Sequence, residues 1–192
     1  LRLGVNAGNS IVSGGNYNTV VGDEAGTAIT TGDSNIGVGY GAVKAATTGS
    51  QNVGVGVNTL ATLTTASYNT ALGTSALTAN TSGANNVAVG TNALEANTTA
   101  SYNTAVGKSA LAANTTGTEC TAVGQGALDA SNGSYNTGVG SDTLGTNTSG
   151  TNNTAVGRLA LYANTTGVEN TVVGSAAGDA LTTGLRNVVM GY

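Results

Sequence analysis

"NNVAVGTNALEANTTASYNTAVGKSALAANTTG", from Asn85 to Gly117, says nearly the same thing twice, and the second statement begins seventeen residues after the first. Self-similarity at a fixed period decides a fold before any local pattern does. Counting outward, the opening residue of each copy is Asn18, Asn35, Asn52, Asn69, Asn86, Asn103, Cys120, Asn136, Asn153, Asn170 and Asn187. Every step is seventeen except the sixteen from Cys120 to Asn136. There "ASNGSY" stands where a full copy reads "ANTTGTE", so the slack falls in a turn and leaves the segment around the Val untouched. The expected organisation is a single repeat domain over 1–192, about eleven coils long. Leu1 opens inside a partial copy and Tyr192 closes inside another, which reads as an excerpt of a longer chain.

Composition agrees with an extended repetitive object. There is no Pro, Trp, Phe or His, and the aromatics are seven Tyr. With 39% hydrophobic residues, many of them Ala, a conventional globular core would be poorly filled. Charged residues are 7% of the chain at net charge −4, and the five Lys and Arg are scattered, so no nucleic-acid partner is expected. No apolar run approaches the roughly 20 residues that span a bilayer, so this segment is not expected to insert into a membrane. The lone Cys120 excludes an internal disulfide.

Let the opening Asn be position one. Position four is Val21, Val38, Val55, Leu72, Val89, Val106, Val123, Val139, Val156, Val173 and Met190, and position two is always Thr, Ile or Val. Side chains two apart share one face of a strand, and this face is expected to point inward. Position five is Gly in every copy, which asks for a positive φ or a close backbone approach at a corner. A second strand is expected around the Ala-Leu of positions eight and nine, giving two strands and two corners per coil. The fold class is therefore all-β, a parallel β-solenoid or β-roll of 17-residue coils.

Positions nine and twelve exchange size. Leu77 with Asn80, Leu94 with Asn97, Leu111 with Asn114 and Leu161 with Asn164 give the usual order, whereas Gly8 with Ile11, Gly26 with Ile29 and Gly178 with Leu181 reverse it. Both positions are expected to address one core cavity, because an unfilled Leu site costs roughly 2 to 5 kcal/mol. Leu60 with Leu63 departs from the exchange. Position three, which carries Ala71, Ala88, Ala105, Ala122 and Ala155 among other small or apolar residues, holds nothing charged or polar in eleven copies. On the face opposite the expected core, that pattern points to contact with another chain.

At these residues the chain resembles a known family: "NNVAVG" and "NTAVG" are similar to the asparagine-to-glycine strand motif of YadA-type head repeats in trimeric autotransporter adhesins, and to repeats of phage tail fibres and bacterial surface fibres. The resemblance spans the whole chain. It implies a left-handed roll, an intertwined or side-by-side homotrimer with the position-three residues near neighbouring subunits, and an extracellular place on a bacterial surface or phage virion. The seventeen-residue repeat is longer than the family's usual one.

The chemistry is spare. Without His and with one Cys, the usual nucleophile and acid–base constellations cannot be assembled, so an enzyme is not expected. The nine acids fall in variable turns, and calcium-binding repeats need Asp at a fixed place in each Gly-rich turn, where this chain has Thr or Gly. No phosphate-loop or dinucleotide fingerprint occurs, and no metal or cofactor is expected. The Asn-x-Thr triplets, such as Asn97-Thr98-Thr99, match glycosylation acceptors but are read as a ladder of stacked Asn side chains. Two surfaces remain. Tyr68, Tyr102 and Tyr135 recur at the last position of every second coil, where rings about 10 Å apart suit a glycan or protein receptor, with packing on neighbouring turns as the plainer reading. Thr pairs such as Thr30-Thr31, Thr47-Thr48, Thr64-Thr65, Thr98-Thr99 and Thr115-Thr116 give the alternative of an ice-binding solenoid, although adjacent Thr residues point to opposite faces and a flat two-column array needs another spacing.

Overall fold

The computed structural model describes residues 2–191, and every strand in it belongs to one parallel sheet. Twelve strands follow in sequence order, from Arg2–Leu3 and Thr19–Val21 through Val87–Val89 and Thr104–Val106 to Val188–Met190. Each pairs with the next in constant register, Val87 beside Thr104, Ala88 beside Ala105, Val89 beside Val106. The register survives the short coil, where Ala122 still faces Gly138, so the turn absorbs the missing residue. No helix occurs among the described residues, and the chain is an all-β parallel solenoid of about 17-residue coils.

Only one strand forms per coil, which corrects the expected pair. Adjacent strand residues point to opposite faces, yet Ala93 and Leu94 are both fully buried. The reason is that position nine adopts the left-handed conformation: Leu77, Leu94 and Leu111 each have φ +52°. Position seven does the same at Asn92 (φ +60°) and Ser109 (φ +56°). The segment is a run of turns closed by Ala93 N–H to Gly90 O at 3.3 Å and Asn97 N–H to Leu94 O at 3.1 Å. Bonds between coils hold it in place, with Leu94 N–H donating to Ala110 O at 3.0 Å and Ser109 N–H to Thr91 O at 2.9 Å. Left-handed φ at a leucine costs about 1 to 2 kcal/mol, so stacking and burial must exceed that in every coil.

The corner glycine meets both expectations. Gly90 sits at φ +135°, and a Cβ there would lie 2.5 Å from the Gly107 carbonyl oxygen of the next coil. The same contact repeats from Gly107 to Gly124, giving a column of glycines stacked backbone on backbone.

The strand faces are the reverse of the expected ones. Ala71, Ala88, Ala105, Ala122 and Ala155 are fully buried within this single chain, together with Val20 and Val172 at the same position. Positions two and four look outward, with Leu72 47% exposed and Val106 36%. The alanines therefore lie inside the coil and not on the surface expected to meet a neighbouring chain. Position three is small because the coil is thin and Leu94 and its equivalents cross to fill it.

Volume exchange inside that core involves three positions. At Gly26 an added Cβ would lie 2.8 Å from Ile29 Cδ1 and 2.6 Å from Val20 Cγ1, so the side chains of positions twelve and three occupy the place of the absent leucine. Gly178, Leu181 and Val172 repeat the arrangement at the other end, with contacts of 3.3 and 3.4 Å. Leu60 and Leu63 are both buried because their surroundings shrink: position three is Gly54, and Leu63 reaches within 3.0 Å of a Cβ placed on Gly49, beside Ala46 of the preceding coil. We expect Leu94→Gly to cost about 2 to 4 kcal/mol, softened by relief of the left-handed strain, and Asn97→Leu to restore at least half of the loss. A double variant no more stable to heat than the single one contradicts a shared cavity.

Buried asparagines bond along the rod. Asn86 N–H donates to Asn69 Oδ1 and Asn103 N–H to Asn86 Oδ1, both at 3.0 Å. Their Nδ2 groups donate to the carbonyls of Ala100 and Gly117 at 2.9 Å. A second ladder stands at position twelve, with Asn97 Nδ2 donating to Asn80 Oδ1 and Asn164 Nδ2 to Asn147 Oδ1 at 3.0 Å. A buried amide without partners is costly, and in the first ladder stacking identical ones supplies donor and acceptor together, whereas the second ladder is broken, with Asn97 Oδ1 and Asn164 Oδ1 buried and unpaired among the described residues.

Cys120 interrupts the first ladder. Its N–H still donates to Asn103 Oδ1 at 2.9 Å and its thiol to Gly133 O at 3.2 Å, but the Asn136 N–H above meets sulfur instead of an amide oxygen. Burial pushes the thiol pKa up, so it stays protonated and unreactive. Cys120→Asn should continue the ladder and stabilise by about 1 kcal/mol. A scanning-calorimetry midpoint that falls instead would mean that the sixteen-residue coil lacks room for the amide.

Candidate functional site

Two surfaces stand out once the inward positions are assigned. The first is the outer face of the sheet, built by positions two and four of every coil. Leu72, Val106, Val123, Val139, Val156 and Val173 form its apolar row, each between 36% and 47% exposed. Beside them runs the row of Thr104, Thr121, Thr137, Thr154 and Thr171, whose hydroxyls make no hydrogen bond among the described residues. No charged residue occupies either row from Thr19 to Met190. Coils spaced about 4.8 Å apart make this a straight stripe about 50 Å long. An apolar stripe of that length and regularity is not an ordinary solvent face.

The second surface is the column at position seventeen. Tyr68, Tyr102 and Tyr135 are 59%, 63% and 52% exposed, and their hydroxyls have no hydrogen-bond partner among the described residues. All three have left-handed backbone, φ +63°, +62° and +61°, as do Asn85 and Glu119 between them and Asn152 beyond. One conformation in every coil aims the Cα–Cβ bonds of the column the same way. The structure thus places the three expected tyrosines in one row, and adds Tyr17, 87% exposed at φ +58° in the same register, which the every-second-coil reading passed over. A shallow hollow of about 410 Å³ lies against Tyr102, Glu119 and Thr121.

The threonine pairs do not present two free columns. The first member of each pair donates its hydroxyl to the next coil, as in Thr30 to Thr47 O at 2.9 Å, Thr47 to Thr64 O at 3.1 Å and Thr165 to Thr182 O at 3.2 Å. Their second members, Thr31, Thr48, Thr65, Thr99 and Thr116, are exposed at one repeat position and give one column rather than two.

Ionisable groups are dispersed. Lys44 pairs with Glu24 at 2.5 Å and Arg186 with Glu169 at 2.6 Å, on the exterior, where such pairs contribute little. Partial burial, then the nearby Asp142 charge, raises the Asp129 pKa. No group of three or more His, Cys, Asp or Glu that could hold a metal ion occurs among the described residues, and no helix is long and apolar enough to cross a membrane. Comparison with family models, with curated proteins and with solved structures finds no match to this chain.

Proposed function

We propose that this chain is a structural and presenting segment of a homotrimeric extracellular fibre, of the kind that forms an adhesin head or a tail-fibre shaft at a bacterial surface or on a phage virion. The observation that carries the reading is the uncharged outer sheet face with its unbroken apolar row at position four. A straight stripe repeating every coil is best matched by another rod with the same rise, and a second and third copy of this chain have it. Three copies, rather than two, follow the resemblance of "NNVAVG" and "NTAVG" to trimeric head repeats. The association surface is the Thr and Val face, in place of the alanines now assigned to the interior.

Such a segment acts by rigidity and display. Fixed positions form the core, corners and ladders, and chemical variety is left to exposed turns, as a binding surface or spacer requires. The test is a triple substitution on the outer face, Val89→Glu, Val106→Glu and Val123→Glu. It should leave the circular dichroism spectrum unchanged and reduce the sedimenting mass to that of a single chain. An assembly that keeps its mass with three added carboxylates per chain would remove this face from the contact.

A further inference from the structure

The position-seventeen column alternates an aromatic with a short hydrogen-bonding side chain over six consecutive coils: Tyr68, Asn85, Tyr102, Glu119, Tyr135, Asn152. We propose that this column is a binding track for one extended, uncharged, β-linked polysaccharide. The inference rests on the presenting half of the fibre reading and names the ligand class.

Four observations converge on it. The rings recur every second coil, about 10 Å apart, which is the length of one disaccharide in an extended β-linked chain. A polymer lying along the rod would therefore set an equivalent sugar face over each tyrosine. Each of these tyrosines is more than half exposed and its hydroxyl is unused by the fold, so packing on neighbouring coils leaves much of the row open to a ligand. Aromatic faces bind the C–H face of a pyranose, and the amide or carboxylate between successive rings meets the hydroxyls at its edge.

The third observation is the hollow beside Tyr102 and Glu119, midway along the row, whose far wall is Thr121 of the outer face, so a ring substituent enters it from the tyrosine side, at the rim of the association surface. The fourth is charge. Glu119 is the one ionised group within the six-coil track and faces no cation there, while Arg186 beyond it is held by Glu169. A carboxylate accepts hydrogen bonds from sugar hydroxyls but repels uronic and sialic acids, which selects against polyanionic glycans.

The experiment uses the whole 192-residue chain, with its sedimenting mass measured on the same preparation. Isothermal titration is run with the di- and hexasaccharides of β-1,4-linked N-acetylglucosamine and of β-1,4-linked glucose, and with hyaluronan as the polyanionic control. At least one hexasaccharide should bind, at least about tenfold more tightly than its disaccharide because it spans several tyrosines. Tyr102→Ser should weaken that binding by at least about tenfold, Tyr68→Ser with Tyr135→Ser should abolish the length dependence, and thermal stability should stay unchanged. Hyaluronan should not bind. No binding of either hexasaccharide, binding indifferent to the tyrosines, or equal binding of hyaluronan would each overturn the track. A chain that sediments as a trimer and binds no neutral sugar refutes the track alone, whereas a sugar-binding monomer refutes the trimer alone.

Discussion

Ala105→Glu will unfold the middle of the rod. Ala105 is fully buried among leucines from position nine, with no buried cation near it, so a carboxylate there must be desolvated without a partner or force the coil open. The expected loss is at least about 4 kcal/mol, in the range reserved for buried unpaired charge. Because each coil contacts only its neighbours, the damage should centre on the coils around Ala88, Ala105 and Ala122. Hydrogen exchange should show lost protection there first. The neighbouring Val106→Glu, one residue along and on the outer face, should retain the solenoid. Equal stability of the two variants would contradict the inward assignment of position three.

Gly90→Ala carries the second large effect. The substitution combines a φ of +135°, which L side chains rarely adopt, with a Cβ 2.5 Å from the Gly107 carbonyl oxygen. Strain and overpacking together should cost about 4 kcal/mol. Gly14→Ala separates the two causes, since Gly14 has φ +115° but its added Cβ meets only the Thr31 side chain, at an ordinary 3.6 Å. Chemical denaturation should rank Gly90→Ala well below Gly14→Ala. If both cost the same, the close stacking of glycines contributes nothing.

The period, the corner glycine, the parallel register and the asparagine ladder were legible in the sequence because each repeats at a fixed offset. The direction of the strand faces was not. Alternation of period two says which residues share a face but not which face is inside, and valine at position four outranks alanine at position three in hydrophobicity. In a coil this thin the core volume comes from Leu94 and its equivalents, leaving room for little more than a methyl group opposite. A readable signal existed: valine appears at position three with glycine at position nine, in Val20 with Gly26 and Val172 with Gly178, as partners in one cavity must.

The missing second strand has a similar cause. Left-handed leucine is invisible to strand propensity, but Gly41, Asn58, Asn92, Gly126 and Asp142 at position seven, with Gly8, Gly26 and Gly178 at position nine, are the residues that tolerate that conformation. Of the candidate surfaces, the tyrosine row was legible from spacing alone. The outer face was legible as a pattern and misassigned as core.

The central claim is that three copies of this rod associate through the outer Thr and Val face, and sedimentation equilibrium on the unmodified chain tests it most directly. The account predicts a single species of three times 18.4 kDa, stable to dilution and to salt because the face is uncharged. A well-folded species of 18.4 kDa at every concentration would contradict it.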